Sequence, residues 1–168
     1  MMKGKVNEGS KAPMFTARDV RGSTFNSSGY LGRSNLVLFF YRNSKCSTCI
    51  SQLKELKTMY DRIAYQDSEV IAISNEGQED AIKVVNDLGL SFPVISDREN
   101  KIIDDYGIYD VDTDTAYPAL FIIDKTGIVR FKKLVESIED RVMGEDISNR
   151  LRKMDTGLYL GEPHPTGQ

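Results

Sequence analysis

The stretch from Leu36 to Ile63 constrains this chain more than any other. An apolar run, Leu36-Val-Leu-Phe-Phe-Tyr41, reads as a strand. After a short polar link, Cys49, Leu53, Leu56, Tyr60 and Ile63 recur at spacings of four, three, four and three. That spacing draws one apolar stripe along a helix. The next strand signal, Val70 to Ser74, completes a βαβ unit, whose right-handed crossover makes its two strands parallel. Cys46 and Cys49 stand at the mouth of the helix and are the chain's only cysteines.

Further strand signals lie at Phe92 to Ser96, Leu120 to Asp124 and Ile128 to Val135. Asp124-Lys-Thr-Gly127 reads as a tight hairpin turn joining the last two, with Gly127 supplying a positive φ. Met14 to Val20 and Ser23 to Phe25 flank Arg21-Gly22 and predict a short N-terminal hairpin. Ala81, Ile82, Val85 and Leu88 form a second helical stripe closed by Gly89. Ile102, Ile103 and Tyr106, closed by Gly107, form a third, and Ile147, Leu151 and Met154 a fourth. The expected architecture is α/β: a central mixed β-sheet flanked by helices, with the N-terminal β-hairpin as an extension. Residues 1–154 are expected to form one domain, and 155–168 a loosely docked tail rich in turn formers.

The 168 residues carry a net charge of −3, which offers no reason to expect nucleic acid or an anionic membrane. No apolar run approaches a membrane span of about 20 residues. The N-terminal segment lacks the apolar stretch of a secretory signal, so a cytoplasmic location is expected. In a reducing compartment a lone cysteine pair points to catalysis more than to structure.

A thiolate is the nucleophile in disulfide exchange, and a free cysteine is mostly protonated at neutral pH. A helix N-terminus offers unpaired backbone N–H groups and the positive end of a dipole. Lys45 adds a neighbouring cation and Arg42 is placed to add another, so Cys46 is expected to be the exposed, acidified attacking thiol. Cys49 lies on the apolar stripe, one turn deeper, and is expected to resolve the mixed disulfide. Two buried structural cysteines are the bland alternative. Zinc requires four ligands, and the only histidine is His164, so no metal site is expected. Asp110-Val-Asp-Thr-Asp-Thr115 lacks the Gly and Glu of a calcium loop and reads as a solvated loop. Tyr30, Tyr41, Tyr106, Tyr109 and Tyr117 are read mostly as core or rim packing rather than as a substrate groove.

Phe40-Tyr-Arg-Asn-Ser-Lys-Cys-Ser-Thr-Cys-Ile-Ser-Gln-Leu53 resembles the thioredoxin-like AhpC/TSA (redoxin) family. It is most similar to the peroxiredoxin-like members with a Phe-Tyr-Arg-x-x-x-Cys-x-x-Cys-x-x-Gln-Leu signature. Val70-Ile-Ala-Ile-Ser74, Phe92-Pro-Val-Ile-Ser-Asp97, Tyr117-Pro-Ala-Leu-Phe-Ile-Ile-Asp-Lys-Thr-Gly127 and Gly9-Ser-Lys-Ala-Pro13 extend the likeness over roughly residues 5 to 154. The resemblance implies a thioredoxin-like fold with the dithiol at the carboxyl end of the first central strand. It implies a cis peptide at Pro118, with the backbone at Tyr117 and Pro118 pairing with a substrate peptide. Arg42 is a further candidate for substrate binding. The peroxidatic Pro-x-x-x-Thr-x-x-Cys motif of that family, laid on this chain, falls at Arg42, Cys46 and Cys49. The family's later arginine falls at Pro118. Thioredoxin's aromatic before the first cysteine is Lys45 here, and its buried acid is Phe40.

These readings lead to a dithiol enzyme that reduces or exchanges disulfides of a protein or small-thiol substrate. A dithiol electron donor is expected, with no tightly bound cofactor, in a monomer or homodimer. A thiol peroxidase acting on hydroperoxides is the first alternative. A non-enzymatic module that binds a soft metal through both thiolates is the second.

Overall fold

A computed structural model describes residues 6–156. The tail from residue 157 onward, with His164, lies outside the described residues. The chain runs β1 (Thr16–Arg18), β2 (Thr24–Asn26), β3 (Asn35–Phe40), α1 (Ser47–Tyr65), β4 (Ser68–Ser74), α2 (Gln78–Leu88) and β5 (Val94–Ser96). It continues through α3 (Lys101–Asp105), β6 (Tyr109–Asp110), β7 (Thr115–Ala116), β8 (Ala119–Ile123), β9 (Val129–Leu134) and α4 (Gly144–Thr156). The helical segment thus extends to Thr156, past the expected boundary at residue 154.

Five strands form the main sheet in the order β5-β4-β3-β8-β9. β3 runs parallel to β4 and antiparallel to β8. All six β3 residues are buried, which is why a continuous apolar run rather than an alternating one encodes it. Alternate side chains still serve different cores. Val37, Phe39 and Tyr41 join Leu53 and Leu56 of α1, Ala81 and Val85 of α2, and Ile147 and Leu151 of α4 on one face. Leu36, Leu38 and Phe40 join Phe25, Ile102, Ile103, Tyr106 and Phe121 on the other. The mixed sheet covered on both faces, and the separate β1–β2 hairpin, agree with the expectation from the residues.

The stripe on α1 is buried at Cys49, Leu53, Leu56 and Ile63. Gln52, fully buried, turns a polar residue on that face into a clamp. Its amide donates to Val142 O at 2.9 Å, and its carbonyl oxygen accepts from Val142 N at 2.8 Å. The segment before α4 is thereby laid along α1, and Glu55 extends the seam by accepting from Gly144 N at 2.7 Å. Gly89 ends α2 in the left-handed conformation (φ 67°), the role its position suggested.

The acidic stretch 110–115 departs from expectation. It departs at its ends only: Asp110 and Thr115 belong to a β6–β7 hairpin with Tyr109 paired to Ala116, while residues 111–114 form its exposed tip. Asp110 and Thr115 are buried there. Local side-chain acceptors made this possible: Asp110 Oδ1 takes Asp112 N–H at 3.1 Å, and Tyr109 Oη donates to Asp114 Oδ1 at 2.5 Å. Tyr41 and Tyr106 are fully buried, as core packing requires, whereas Tyr117 remains 38% exposed.

The candidate active site

β3 ends at Phe40, and six residues later Cys46 caps α1. An Asx turn shapes the link: Asn43 Oδ1 accepts from Lys45 N at 2.9 Å, and Asn43 O accepts from Cys46 N at 3.2 Å. Cys46 has extended backbone angles, and its Sγ accepts from Cys49 N at 3.2 Å. A sulfur thus occupies the capping place usually held by a serine or aspartate oxygen. Cys46 and Cys49 are joined as a disulfide with Cα atoms 5.2 Å apart. Cys46 is half-buried, and Cys49 is wholly buried among Leu53, Phe39 and Tyr41.

The backbone N–H of Arg42 donates to Cys49 Sγ at 3.4 Å. Its guanidinium does not reach toward the thiols as the sequence suggested. Nη1 instead donates to Thr113 Oγ1 at 2.7 Å, Thr115 Oγ1 at 3.1 Å and Asp110 Oδ2 at 3.4 Å. All three acceptors belong to one hairpin. Burial pushes the Asp110 carboxyl up, but the Asp112 N–H, the Thr113 hydroxyl and Arg42 together hold it below the usual range. Lys45 is exposed beside the cap.

Pro118 is buried immediately before β8, and Ala119 pairs with Phe40 across the sheet. That register brings Tyr117 and Pro118 to the end of the sheet that carries Cys46, Cys49 and Arg42. No cis peptide occurs among the described residues, so the Tyr117–Pro118 bond is trans, correcting the expectation at Pro118. Two hydrogen bonds support the trans path: Tyr117 N to Ile108 O and Val135 N to Pro118 O, each 2.8 Å. Phe40 packs against Tyr106 and Phe121, so the place of thioredoxin's buried acid is apolar here.

Sequence reasoning missed Glu76 and Asn75. Asn75 ties the strand end to the hairpin by donating to Asp114 O at 2.8 Å. Glu76 Oε2 accepts from Ser44 N at 2.7 Å, inside the cysteine loop. Their position just past a parallel strand's carboxyl end, where α/β folds gather functional groups, was the available signal. Beneath them, burial drives the Tyr41 phenol well above its ordinary pKa; Glu76 adds to the rise and Ser74 opposes it. Among the described residues, no cluster of three or more His, Cys, Asp or Glu is arranged to hold a metal ion. No helix among them is long and apolar enough to cross a membrane.

The AhpC/TSA family profile matches residues 9–132. Alkyl hydroperoxide reductase E of Mycobacterium tuberculosis is 29% identical over 139 residues, covering 81% of this chain and 90% of that protein. Thiol-disulfide oxidoreductase ResA of Bacillus anthracis is 29% identical over 153 residues, covering 90% of this chain and 81% of its own. Chloroplastic peroxiredoxin Q of Oryza sativa subsp. japonica is 30% identical over 130 residues, which are 76% of this chain and 59% of that one. Among solved structures, peroxidoxin BcpB of Mycobacterium tuberculosis superposes with a TM-score of 0.77 at 19% identity, over 89% of this chain and 98% of that chain. Enterococcus faecalis AhpC reaches 0.79 at 17% identity, over 95% and 98%. With a thioredoxin-like sheet, a cysteine pair capping the helix that follows its central strand, and a family match over most of its length, the chain belongs to the AhpC/TSA family of thiol-dependent oxidoreductases.

Proposed function

We propose that this chain reduces or exchanges substrate disulfides through the Cys46–Cys49 couple. One observation carries the reading: the two sulfurs are bonded at the mouth of α1, the outer one half-buried and the inner one sealed in the core. Cys46, favoured as a thiolate by the N–H groups at the start of α1, attacks one sulfur of the substrate disulfide, breaks its S–S bond, expels the other sulfur as the first thiol and forms a mixed disulfide. Cys49 then attacks Cys46 Sγ, closes the intramolecular disulfide and releases the second substrate thiol. A dithiol protein or small thiol returns two electrons. Tyr117 and Pro118 form the wall where a substrate backbone would lie. The Tyr117 N–H is already bonded to Ile108 O, so a substrate strand would pair with the Tyr117 carbonyl. Arg42 acts by holding the hairpin that leads into that wall. A reducing compartment such as the cytoplasm suits a couple that must be reopened after each cycle.

The peroxidase alternative has less chemical support. Peroxide cleavage needs donors aimed at the departing oxygen. The guanidinium nearest in sequence, that of Arg42, is spent on the hairpin, and the residue just before the later strand is Pro118, which has no N–H. Turnover of insulin disulfides with a dithiol reductant tests the proposal. Cys46→Ser is expected to lower the rate by at least about a thousandfold. Rapid stoichiometric oxidation by hydrogen peroxide, with a sulfenate trapped on Cys49 in that variant, and no insulin turnover by the parent, would transfer the assignment to a peroxidase.

A further inference from the structure

Glu76 is fastened more tightly than a residue just past a strand needs to be. Its N–H donates to Ser74 Oγ at 3.2 Å and its carbonyl accepts from Ser96 Oγ. Its Oε2 holds Ser44 N at 2.7 Å, two positions before Cys46. Ser44 lies inside the turn closed by Cys46 N and Asn43 O at 3.2 Å, so the anchor and the first cysteine share one turn. Its other oxygen, Oε1, is buried and has no hydrogen-bond partner among the described residues. No ion pair to this carboxylate occurs among them. Tyr41, just past β3, whose phenol feels this carboxylate, has a buried hydroxyl that is likewise without a hydrogen-bond partner among the described residues. The exposed Lys45 follows Ser44 in the chain, and the exposed Arg98 donates to Asn75 O at 3.1 Å.

An uncharged amide could anchor Ser44 N equally well. A carboxylate half withdrawn from water with one oxygen unsatisfied costs free energy that anchoring alone does not return. The charge has an effect the anchor does not. A fixed negative charge bonded to the turn that carries Cys46 disfavours its thiolate and works against the α1 dipole. Dithiol couples become strong oxidants when their reduced form is stabilised. A charge that destabilises the thiolate has the opposite effect.

We propose that Glu76 is the positioning residue that sets the polarity of this couple: by anchoring the cysteine loop with a charged rather than neutral group, it favours the disulfide and makes the dithiol a reductant. The inference rests on the oxidoreductase reading above and adds the residue that sets how strongly the couple donates electrons to the disulfide of its substrate.

The test is the exchange equilibrium with glutathione, in which one intramolecular disulfide and two glutathione thiols give the dithiol and one glutathione disulfide. Glu76→Gln keeps an acceptor for Ser44 N and removes the charge. It is expected to shift the equilibrium roughly tenfold toward the dithiol, a rise of about 30 mV in potential. The midpoint pH for alkylation of Cys46 should fall in parallel. Glu76→Asp keeps the charge while shortening the anchor, and its equilibrium should stay within about threefold of the parent. An equilibrium for Glu76→Gln within twofold of the parent, or an Asp variant that shifts as far as the Gln variant, overturns the inference and leaves only a loop anchor. Should Glu76→Gln fail to fold, Glu76→Ala, which also removes the charge, is held to the same limits of about tenfold and twofold. A parent protein that does not exchange with glutathione at all sinks the oxidoreductase reading itself, a result distinct from either variant outcome.

Discussion

Arg42 shows how one residue can mislead when read alone. A cation near a cysteine suggests direct electrostatic help to a thiolate. Its guanidinium is instead bound to Asp110, Thr113 and Thr115, while its backbone N–H meets Cys49 Sγ. The residue therefore links the dithiol to the β6–β7 hairpin through opposite ends of itself. Arg42→Met should free the hairpin without touching either sulfur. Amide exchange at Asp114 and Tyr117, whose N–H groups bond Asp110 O and Ile108 O, is expected to accelerate roughly tenfold. Unchanged protection there would mean that Asn75 and the hairpin's own bonds suffice.

At the scale of an element, the turn between β8 and β9 is organised by one carboxylate. Asp124 Oδ1 accepts from Thr126 N at 2.8 Å and Ile128 N at 3.1 Å, and Oδ2 accepts from Arg130 Nε at 2.7 Å. Burial alone would raise this group, but the Thr126 hydroxyl, Arg130 and the two backbone N–H groups outweigh it and hold the carboxyl below its ordinary value of 3.8. With the folded value below the unfolded one, its stabilisation is complete above the ordinary carboxylate range. It is lost as pH falls toward the folded value. Urea midpoints of the parent should therefore drop between about pH 5 and pH 3 more steeply than those of Asp124→Asn. Parallel curves for the two would assign acid sensitivity to other carboxylates. Gly127, with φ 87°, completes the same turn, where an L side chain would be strained.

At the scale of the whole molecule, the disulfide closes a loop too short to hold the fold together. A bridge spanning a sequence separation of three constrains the unfolded chain by about 2 kcal/mol on an entropic account. Two apolar cores, one on each face of the sheet, supply the main stabilisation. Reduction should leave far-UV circular dichroism unchanged and lower Tm by about 4–8 °C for a chain of this size. Loss of structure on adding dithiothreitol would recast the bridge as a structural staple and contradict a cycling couple.

By itself the sequence determined the strand–dithiol–helix unit, the mixed sheet with helices on both faces, and the burial order of the two cysteines. Each of these follows from short-range patterns: a run from Leu36 to Tyr41, a stripe from Cys49 to Ile63, and Cys46 three positions before that stripe. Tertiary structure alone decided that Arg42 faces the hairpin, that Asp110 is buried, that the bond before Pro118 is trans, and that Glu76 reaches Ser44. These contacts join residues between 32 and 73 positions apart, or depend on strand register, and spacing along a chain carries no information about which distant acceptor a donor will find. Periodicity reports which face of an element is buried, whereas partnership between polar groups is settled only when the packed elements fix their distances.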